Sequence, residues 1–251
     1  GRARRFDNEL ALAVLDLETM KPTVVAAFDE LGIGRFRWVN DKRLVFDLAT
    51  YREARRDIRQ APGLFAVDAD GENFRQLVQT TASWLKAPPA GREPLPWNVF
   101  LLDSVGRQDG PEVFVVSPKQ FGGNTRVDYI ELVRLNTLTG QAEPVEAPQH
   151  ATQWLLDTRG ELRMVVTRHG NRVTVMARER GGNWRSMSEG DSIEGPAFMP
   201  LTIGPDGTFY VRSQGPGDKT ALYSLDPASG KRSDAAVLVS KDFDLNPVAV
   251  A

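Results

Sequence analysis

LNTLTGQAEPVEAPQHATQWLLDTRGELRMVV, Leu135 to Val166, holds one turn of each of two kinds that recur along the chain. The first kind ends a strand in an aliphatic-Asp/Asn pair and then turns, as LNTLTG does here. It recurs as LDLET (Leu15 to Thr19), VDADG (Val67 to Gly71) and LDPASG (Leu225 to Gly230), with a degenerate copy in ARERGG (Ala177 to Gly182). The second kind opens a β-run after a polar or glycine turn, as DTRGELRMVV does here. Its relatives are VNDKRLVF (Val39 to Phe46), RQDGPEVFVV (Arg107 to Val116) and GPDGTFYV (Gly204 to Val211). Read in chain order, the two kinds alternate without a break.

Alternating hairpins at a near-constant spacing mean repeated four-stranded units. First-kind turns fall near Thr19, Gly71, Gly140, Gly182 and Gly230, so the steps are 52, 69, 42 and 48 residues. A four-stranded propeller blade needs about 40–50 residues. The 69-residue step therefore carries an insertion, placed in the proline-rich stretch Ala87 to Pro96. These spacings predict an all-β chain, a partial β-propeller with about four complete blades plus fragments. A blade fragment is expected over 1–31, blades over about 32–80, 97–147, 151–189 and 197–240, and the start of a further blade over 241–251. The chain begins inside an outer hairpin and ends in an opening strand, so both ends read as cut.

Within these units, Arg35 to Leu48 reads as an inner hairpin with Trp38 and Phe46 as packing residues. Asp70-Gly71 reads as the centre of a two-residue hairpin connection. Thr50 to Gln60 is the one helix-like interruption, with Tyr51, Ala54 and Ile58 in register. Runs such as FLLD and VFVV are apolar on both faces, as expected of strands sandwiched between neighbouring sheets.

Composition narrows function by exclusion. With 31 basic and 33 acidic residues the net charge is −2, which lacks the basic footprint of a sequence-independent nucleic-acid binder. No apolar run approaches the roughly 18 residues of a membrane-spanning helix. The chain has no cysteine, so disulfides, zinc–thiolate sites and thiol catalysis are ruled out.

Each candidate motif reads as structure rather than chemistry. His150 and His169, the only two histidines, stand nineteen residues apart without HExxH or HxH spacing and read as polar strand-end residues. Asp68 and Asp70 hint at a calcium loop, but Gly71 falls fourth where an EF-hand needs its glycine sixth. GPGDKT (Gly215 to Thr220) and GIGRFR (Gly32 to Arg37) lack the spacing and following helix of phosphate and dinucleotide loops. GDSIEG (Gly190 to Gly195) places Glu194 where a nucleophile elbow needs glycine, so Ser192 is not read as a nucleophile. Arg168, Arg172, Arg178, Arg180 and Arg185 read as a solvated strand face. Trp38, Trp84, Trp154 and Trp184 read as packing, while Trp97, directly after PLP, is the candidate exposed contact residue. No cofactor site is found.

WVNDKRLVFDL, GLFAVDADGENFRQL, DTRGELRMVVTRHG and IGPDGTFYV together resemble the propeller of prolyl-oligopeptidase-type serine peptidases, nearest its bacterial acylaminoacyl-peptidase and dipeptidyl-peptidase-like branch. The likeness covers nearly the whole chain, though TolB-type propellers use similar PDG turns. It implies a noncatalytic propeller that restricts and orients peptide substrates over an α/β-hydrolase domain carrying the catalytic triad. That domain is not in this sequence, so no family catalytic residue maps onto it. Implied partners are the C-terminal α/β-hydrolase domain and peptide substrate, with no nucleic acid or membrane. Self-association through open blade edges is also expected, and the resemblance leans to a periplasmic over a cytoplasmic setting. Loops 50–60 and 117–126 are expected to meet the hydrolase domain or substrate, with Trp97, Phe121, Arg126 and Arg55 as contact residues. The alternative is a freestanding TolB-like propeller that scaffolds protein–protein interactions.

Overall fold

The run LFAV within Leu64–Asp68 is buried residue by residue, and its alternate side chains leave on opposite faces of a sheet. That is the signature of a strand with a neighbouring sheet on both sides. In the computed structural model it is β6 of the eighteen strands among the described residues. The structure describes residues 2–4, 10–28, 31–49, 63–80, 93–102, 109–119, 127, 129–179, 181–216 and 219–245. Among these there is no α-helix and therefore no helix able to cross a membrane. The helix-like reading of Thr50 to Gln60 lies outside the described residues.

The strands form five antiparallel sheets whose members are hydrogen-bonded in chain order. β1 (Arg2–Arg4), β2 (Leu10–Leu15) and β3 (Pro22–Ala26) make the first. The second contains β4 (Gly32–Asn40), β5 (Arg43–Ala49), β6 (Leu64–Asp68) and β7 (Arg75–Val78). β8 (Phe100–Leu101), β9 (Glu112–Lys119), β10 (Tyr129–Asn136) and β11 (Ala142–Pro144) form the third. The fourth is β12 (Ala151–Leu156), β13 (Leu162–His169), β14 (Arg172–Arg178) and β15 (Trp184–Asp191). β16 (Met199–Ile203), β17 (Phe209–Gln214) and β18 (Thr220–Leu225) make the fifth. Serial up-and-down sheets of this kind, packed face on face, define the β-propeller class.

The chain divides into two compact units, residues 1–102, 108–118 and 133–144 in one, and 103–107, 119–132 and 145–251 in the other. In the first unit, period-2 alternation splits sheet two between two cores. Leu44, Phe46, Leu48, Phe65 and Val67 meet Leu12, Val25 and Ala26 of sheet one. Phe46 and Phe65 stack there at 5.5 Å between ring centroids, Phe28 is tilted against both, and Phe74 stacks on Phe65 and tilts against Phe46. From the other face, Val45, Leu64, Ala66 and Leu77 meet Val115, Val133 and Leu135 of sheet three. In the second unit, Met164, Val166, Val173 and Val175 of sheet four pack on Phe209, Val211, Ala221 and Tyr223 of sheet five. Each fully buried side chain of this size contributes about 1.5–3 kcal/mol, so the stacked sheets supply the fold's main stabilisation.

Two turn geometries connect the strands, and they cut across the two kinds seen in the sequence. In the longer, Asn136 N–H donates to Gln141 O at 2.8 Å and Gly140 N–H to Asn136 O at 2.8 Å. The same bonds join Asp226 to Lys231 and Gly230. In each, the first side chain accepts from the next backbone N–H groups: Asn136 Oδ1 from Leu138 and Thr139, Asp226 Oδ1 from Ala228 and Oδ2 from Ser229. An Asp or Asn that caps its own turn in this way explains why the first-kind turns begin with that residue. Asp16 caps Glu18 and Thr19 identically, but Met20 stands where the other two turns have glycine. Its φ of 54° matches the 74° and 75° of Gly140 and Gly230. A side chain in that left-handed region costs about 1–2 kcal/mol.

The shorter geometry corrects the expectation at Asp70-Gly71. That hairpin is not closed by two residues; Asp68 N–H donates to Glu72 O and Gly71 N–H to Asp68 O, and β7 resumes only at Arg75. The same pattern closes the turns at Asp157–Glu161, Glu179–Asn183 and Gly204–Thr208. The outer edge of β18 is covered by irregular chain. Ser233 N–H donates to Ser224 O, Val237 N–H to Leu222 O and Leu222 N–H to Leu238 O, and Asp244 Oδ1 accepts from Thr220 N–H.

Candidate functional site

The most demanding polar environment in the first unit surrounds Arg43, which opens β5 and is 2% exposed. Strands end at this level, so carbonyls released from the ladders are available to it. Its Nε donates to Thr137 Oγ1 at 2.9 Å and its Nη2 to Thr137 O at 2.7 Å and Asn73 O at 3.1 Å. Nη1 meets Asp68 Oδ1 at 2.5 Å, and Asn73 Nδ2 donates to Asp68 Oδ2 at 2.6 Å. Thr137, itself buried, passes its hydroxyl to Pro111 O at 2.7 Å. Every partner is a fixed turn or strand-end group, so Arg43 ties sheet two to sheet three and has no surface from which to meet a substrate. The Asp68 carboxylate is engaged by Arg43 and Asn73, and Asp70 accepts from Glu72 N–H. These aspartates serve the turn and the arginine.

Trp97 sits at the tip of a turn closed by Val99 N–H donating to Pro96 O, and it is 55% exposed. The approach is anchored by Leu95, whose N–H and C=O bond Leu77 O and Gln79 N–H. On the following side, Asn98 Nδ2 donates to Pro118 O at 3.3 Å. These bonds fix the backbone of the turn on both sides of Trp97 and leave its ring in solvent. Phe121, Arg126 and Arg55 lie outside the described residues, so they and Trp97 are not brought together here. Within the 117–126 loop, Ser117 to Lys119 belong to β9.

Trp38 departs from its reading as a packing residue: it pairs with Leu44, yet 44% of it is exposed near the end of the edge strand β4. Trp154 is buried in β12, and its Nε1 has no hydrogen-bond partner among the described residues. Trp184 is half-buried with the Arg178 guanidinium 5.9 Å over its ring, and Trp84 lies outside the described residues.

The described arginines of the fourth sheet are largely engaged. Arg172 approaches Glu189 at 3.8 Å, Arg178 approaches Glu146 at 4.0 Å, and Arg185 pairs with Glu179 at 3.2 Å. Arg185 also donates to Pro227 O and Ala228 O of the capped turn at Asp226. Arg168 is exposed, and Arg180 lies outside the described residues.

Ser192 stands on the exposed loop leaving β15, with its hydroxyl against Asn171 Oδ1. Asp191 caps that loop through Ile193 and Glu194 N–H at 2.7 Å, and the first of its two backbone donors, Glu194, holds its carboxyl below the usual range. A strand end closed by an aspartate cap is not the strand-to-helix elbow a serine nucleophile requires. Beside it Asn171, Arg172, Glu189, Gly190 and Asp191 line a shallow depression of about 410 Å³.

The same end of the fourth sheet holds an arrangement that linear spacing hides. His150, just before β12, and His169, the last residue of β13, are parallel within 21° with ring centroids 4.8 Å apart. Register explains the approach: Arg168 N–H donates to His150 O at 2.9 Å, and Ala151 pairs with Thr167. Strand-end placement was legible in the sequence; the pairing of the two rings was not. No group of three or more His, Cys, Asp or Glu side chains able to hold a metal occurs among the described residues.

No family model matches the chain, and no curated protein matches it. Solved propeller proteins resemble it at low identity. TolB from Acinetobacter baumannii is 14% identical, with 94% of this chain and 52% of that one covered and a TM-score of 0.39. An oligogalacturonate lyase in complex with manganese is 15% identical, covering 96% and 66%, with a TM-score of 0.48. The Pyrococcus horikoshii acylaminoacyl peptidase is 13% identical, covering 92% and 42%, with a TM-score of 0.36. The chain thus spans about half the length of the TolB structure. The class of the protein, an all-β propeller, rests on its serial sheets and their two-faced cores.

Proposed function

We propose that the chain is the noncatalytic propeller portion of a prolyl-oligopeptidase-type serine peptidase. In this reading it restricts and orients peptide substrates over an α/β-hydrolase active site carried by another segment. The observation that supports it is the placement of the resembling stretches. WVNDKRLVFDL spans the β4–β5 hairpin, GLFAVDADGENFRQL the β6–β7 hairpin, and IGPDGTFYV the β16–β17 hairpin, while DTRGELRMVVTRHG contributes β13 and its two turns. The likeness therefore lies in the hairpins that build blades, distributed over both units. Peptide selection at the rim would fall to rigid exposed groups such as Trp97, whose contacts remote from the reacting bond orient the substrate.

The test is the reading frame that encodes the chain, followed by reconstitution. A GxSxG-containing α/β segment downstream, active on peptide or ester substrates when combined with this chain, is the expected result. A frame with no hydrolase segment, or a segment whose hydrolysis and size selectivity are indifferent to this chain, would overturn the reading in favour of a freestanding scaffold.

A further inference from the structure

The pairing of the only two histidines does not depend on the peptidase reading. We propose that His150 and His169 form a two-imidazole site for a divalent transition ion of the Cu²⁺ or Ni²⁺ kind, closing one end of the fourth sheet.

Three observations carry it. The first is distance. Two imidazole nitrogens about 2.0–2.1 Å from one ion set their ring centroids roughly 4.4–5.3 Å apart, for coordination angles between a right angle and a tetrahedral one. The observed 4.8 Å lies inside that interval. The rings are nearly parallel, so chelation requires them to turn about their own side-chain bonds, which their exposure allows.

The second observation is backbone conformation. Of the described residues with positive φ only three are not glycine, and His150 is one, at 60°. Histidine enters the left-handed region more readily than most residues, but glycine does so at no steric cost. A conformation that favours glycine, occupied by the side chain that completes a histidine pair, fits a position retained for its imidazole.

The third is the surrounding row of side chains. Residues directly opposite in antiparallel strands share a face, so His169, Arg172 and Asp191 form one line across β13, β14 and β15. Arg172 is turned toward Glu189 at 3.8 Å, and Asp191 is committed to its own turn. Neither supplies a third ligand. The site is then two nitrogens with water completing the shell, a donor set that favours imidazole-preferring late first-row ions over calcium or magnesium. The ion would clip the loop before β12 to the β13–β14 hairpin, next to the depression lined by Asn171 and Arg172.

The experiment is titration of the full chain with copper(II) chloride in a non-coordinating buffer, read by calorimetry and by electron paramagnetic resonance. The variants are His150→Ala, His169→Ala, His150→Gly and the histidine-free pair. His150→Gly keeps the left-handed backbone accessible and so tests the imidazole even where alanine disturbs the fold. The expected result is one ion per chain above the histidine-free background, a spectrum with two nitrogen ligands, and at least a tenfold loss of affinity in every single variant. A wild-type titration matching that of the histidine-free protein would overturn the site. So would a one-nitrogen spectrum, or single variants that bind as tightly as wild type.

Discussion

Arg43 in the first unit and Trp154 in the second are both buried polar side chains, and they fare differently. Arg43 makes four hydrogen bonds, while Trp154 Nε1 has none among the described residues. The cause is position along the strand. Arg43 stands where β5 begins, facing Thr137 just past β10, Asn73 in a loop and Asp68 at the end of β6. Backbone carbonyls there have left the ladder and are free to accept. Trp154 lies within β12, opposite Val165, where neighbouring carbonyls serve the sheet. Arg212, within β17, likewise keeps an Nε without a partner among the described residues. Here the buried arginine at a strand start is fully bonded, whereas the ring nitrogen of Trp154 and the Nε of Arg212, both within strands, have no partner among the described residues.

Arg43→Ala breaks that contrast most directly. It leaves Asp68 without its charge partner and the Thr137 and Asn73 carbonyls without the guanidinium donor, and should cost about 3–5 kcal/mol in denaturant unfolding. Replacing Arg43 by Met and Asp68 by Leu together should cost markedly less, since no charge is then stranded. A single-variant loss below about 1 kcal/mol would show that the arginine is not a keystone.

The left-handed turn position is the next test. Met20→Gly brings the Asp16 turn into line with those of Asn136 and Asp226 and should stabilise the chain by about 1 kcal/mol. Unchanged or lowered stability would refute the account of Met20. In the second unit, Trp154→Phe removes a buried donor along with ring volume. The two terms oppose, so its cost should stay below about 1 kcal/mol, against the 3–5 of a fully satisfied aromatic deleted to alanine.

The smallest effect is on acid stability. Donated hydrogen bonds lower the carboxyls of Asp16, Asp206 and Asp226 below 3.8, with Thr19 N–H, Thr208 N–H and the Ser229 hydroxyl as the leading donors. A carboxyl lowered in the folded state stabilises above its unfolded value and loses that contribution as pH falls through the folded one. The melting temperature should therefore decline below about pH 3.8. Asp226→Asn keeps the acceptor without the titration, as Asn136 already does, and should shallow the decline. An identical acid limb in the variant would count against the turn caps as its source.

The sequence displayed the hairpins because most turns carry their signal locally: an Asp or Asn at the strand end and a glycine three or four residues on. The unbroken apolar run VFVV likewise displayed a strand with both faces turned to neighbours. Arg43 was not legible, since its partners stand 25, 30 and 94 residues away and nothing local distinguishes it from any charged residue after a turn. Met20 escaped for the opposite reason, because methionine is not a turn residue and only its φ betrays the role. The approach of the His150 and His169 rings was not legible in linear spacing, because antiparallel pairing brings together residues nineteen apart. Trp38 pairs with Leu44 and alternates with Phe36 as a packing residue should, but it stands near the end of β4, an edge strand of its sheet, and local sequence does not reveal that position.

The turns that cap themselves have one more consequence. Asp16, Asn136, Asp191 and Asp226 each find their donors within three residues, so those loops draw their shape from their own sequence. Such a hairpin is portable. It can be duplicated, moved to another sheet or grafted into a different host while its flanking strands drift, and it will still reverse the chain at the same residue. Copying and divergence of this chain's ancestors could proceed hairpin by hairpin, with the core re-selected afterwards and the corners already in place.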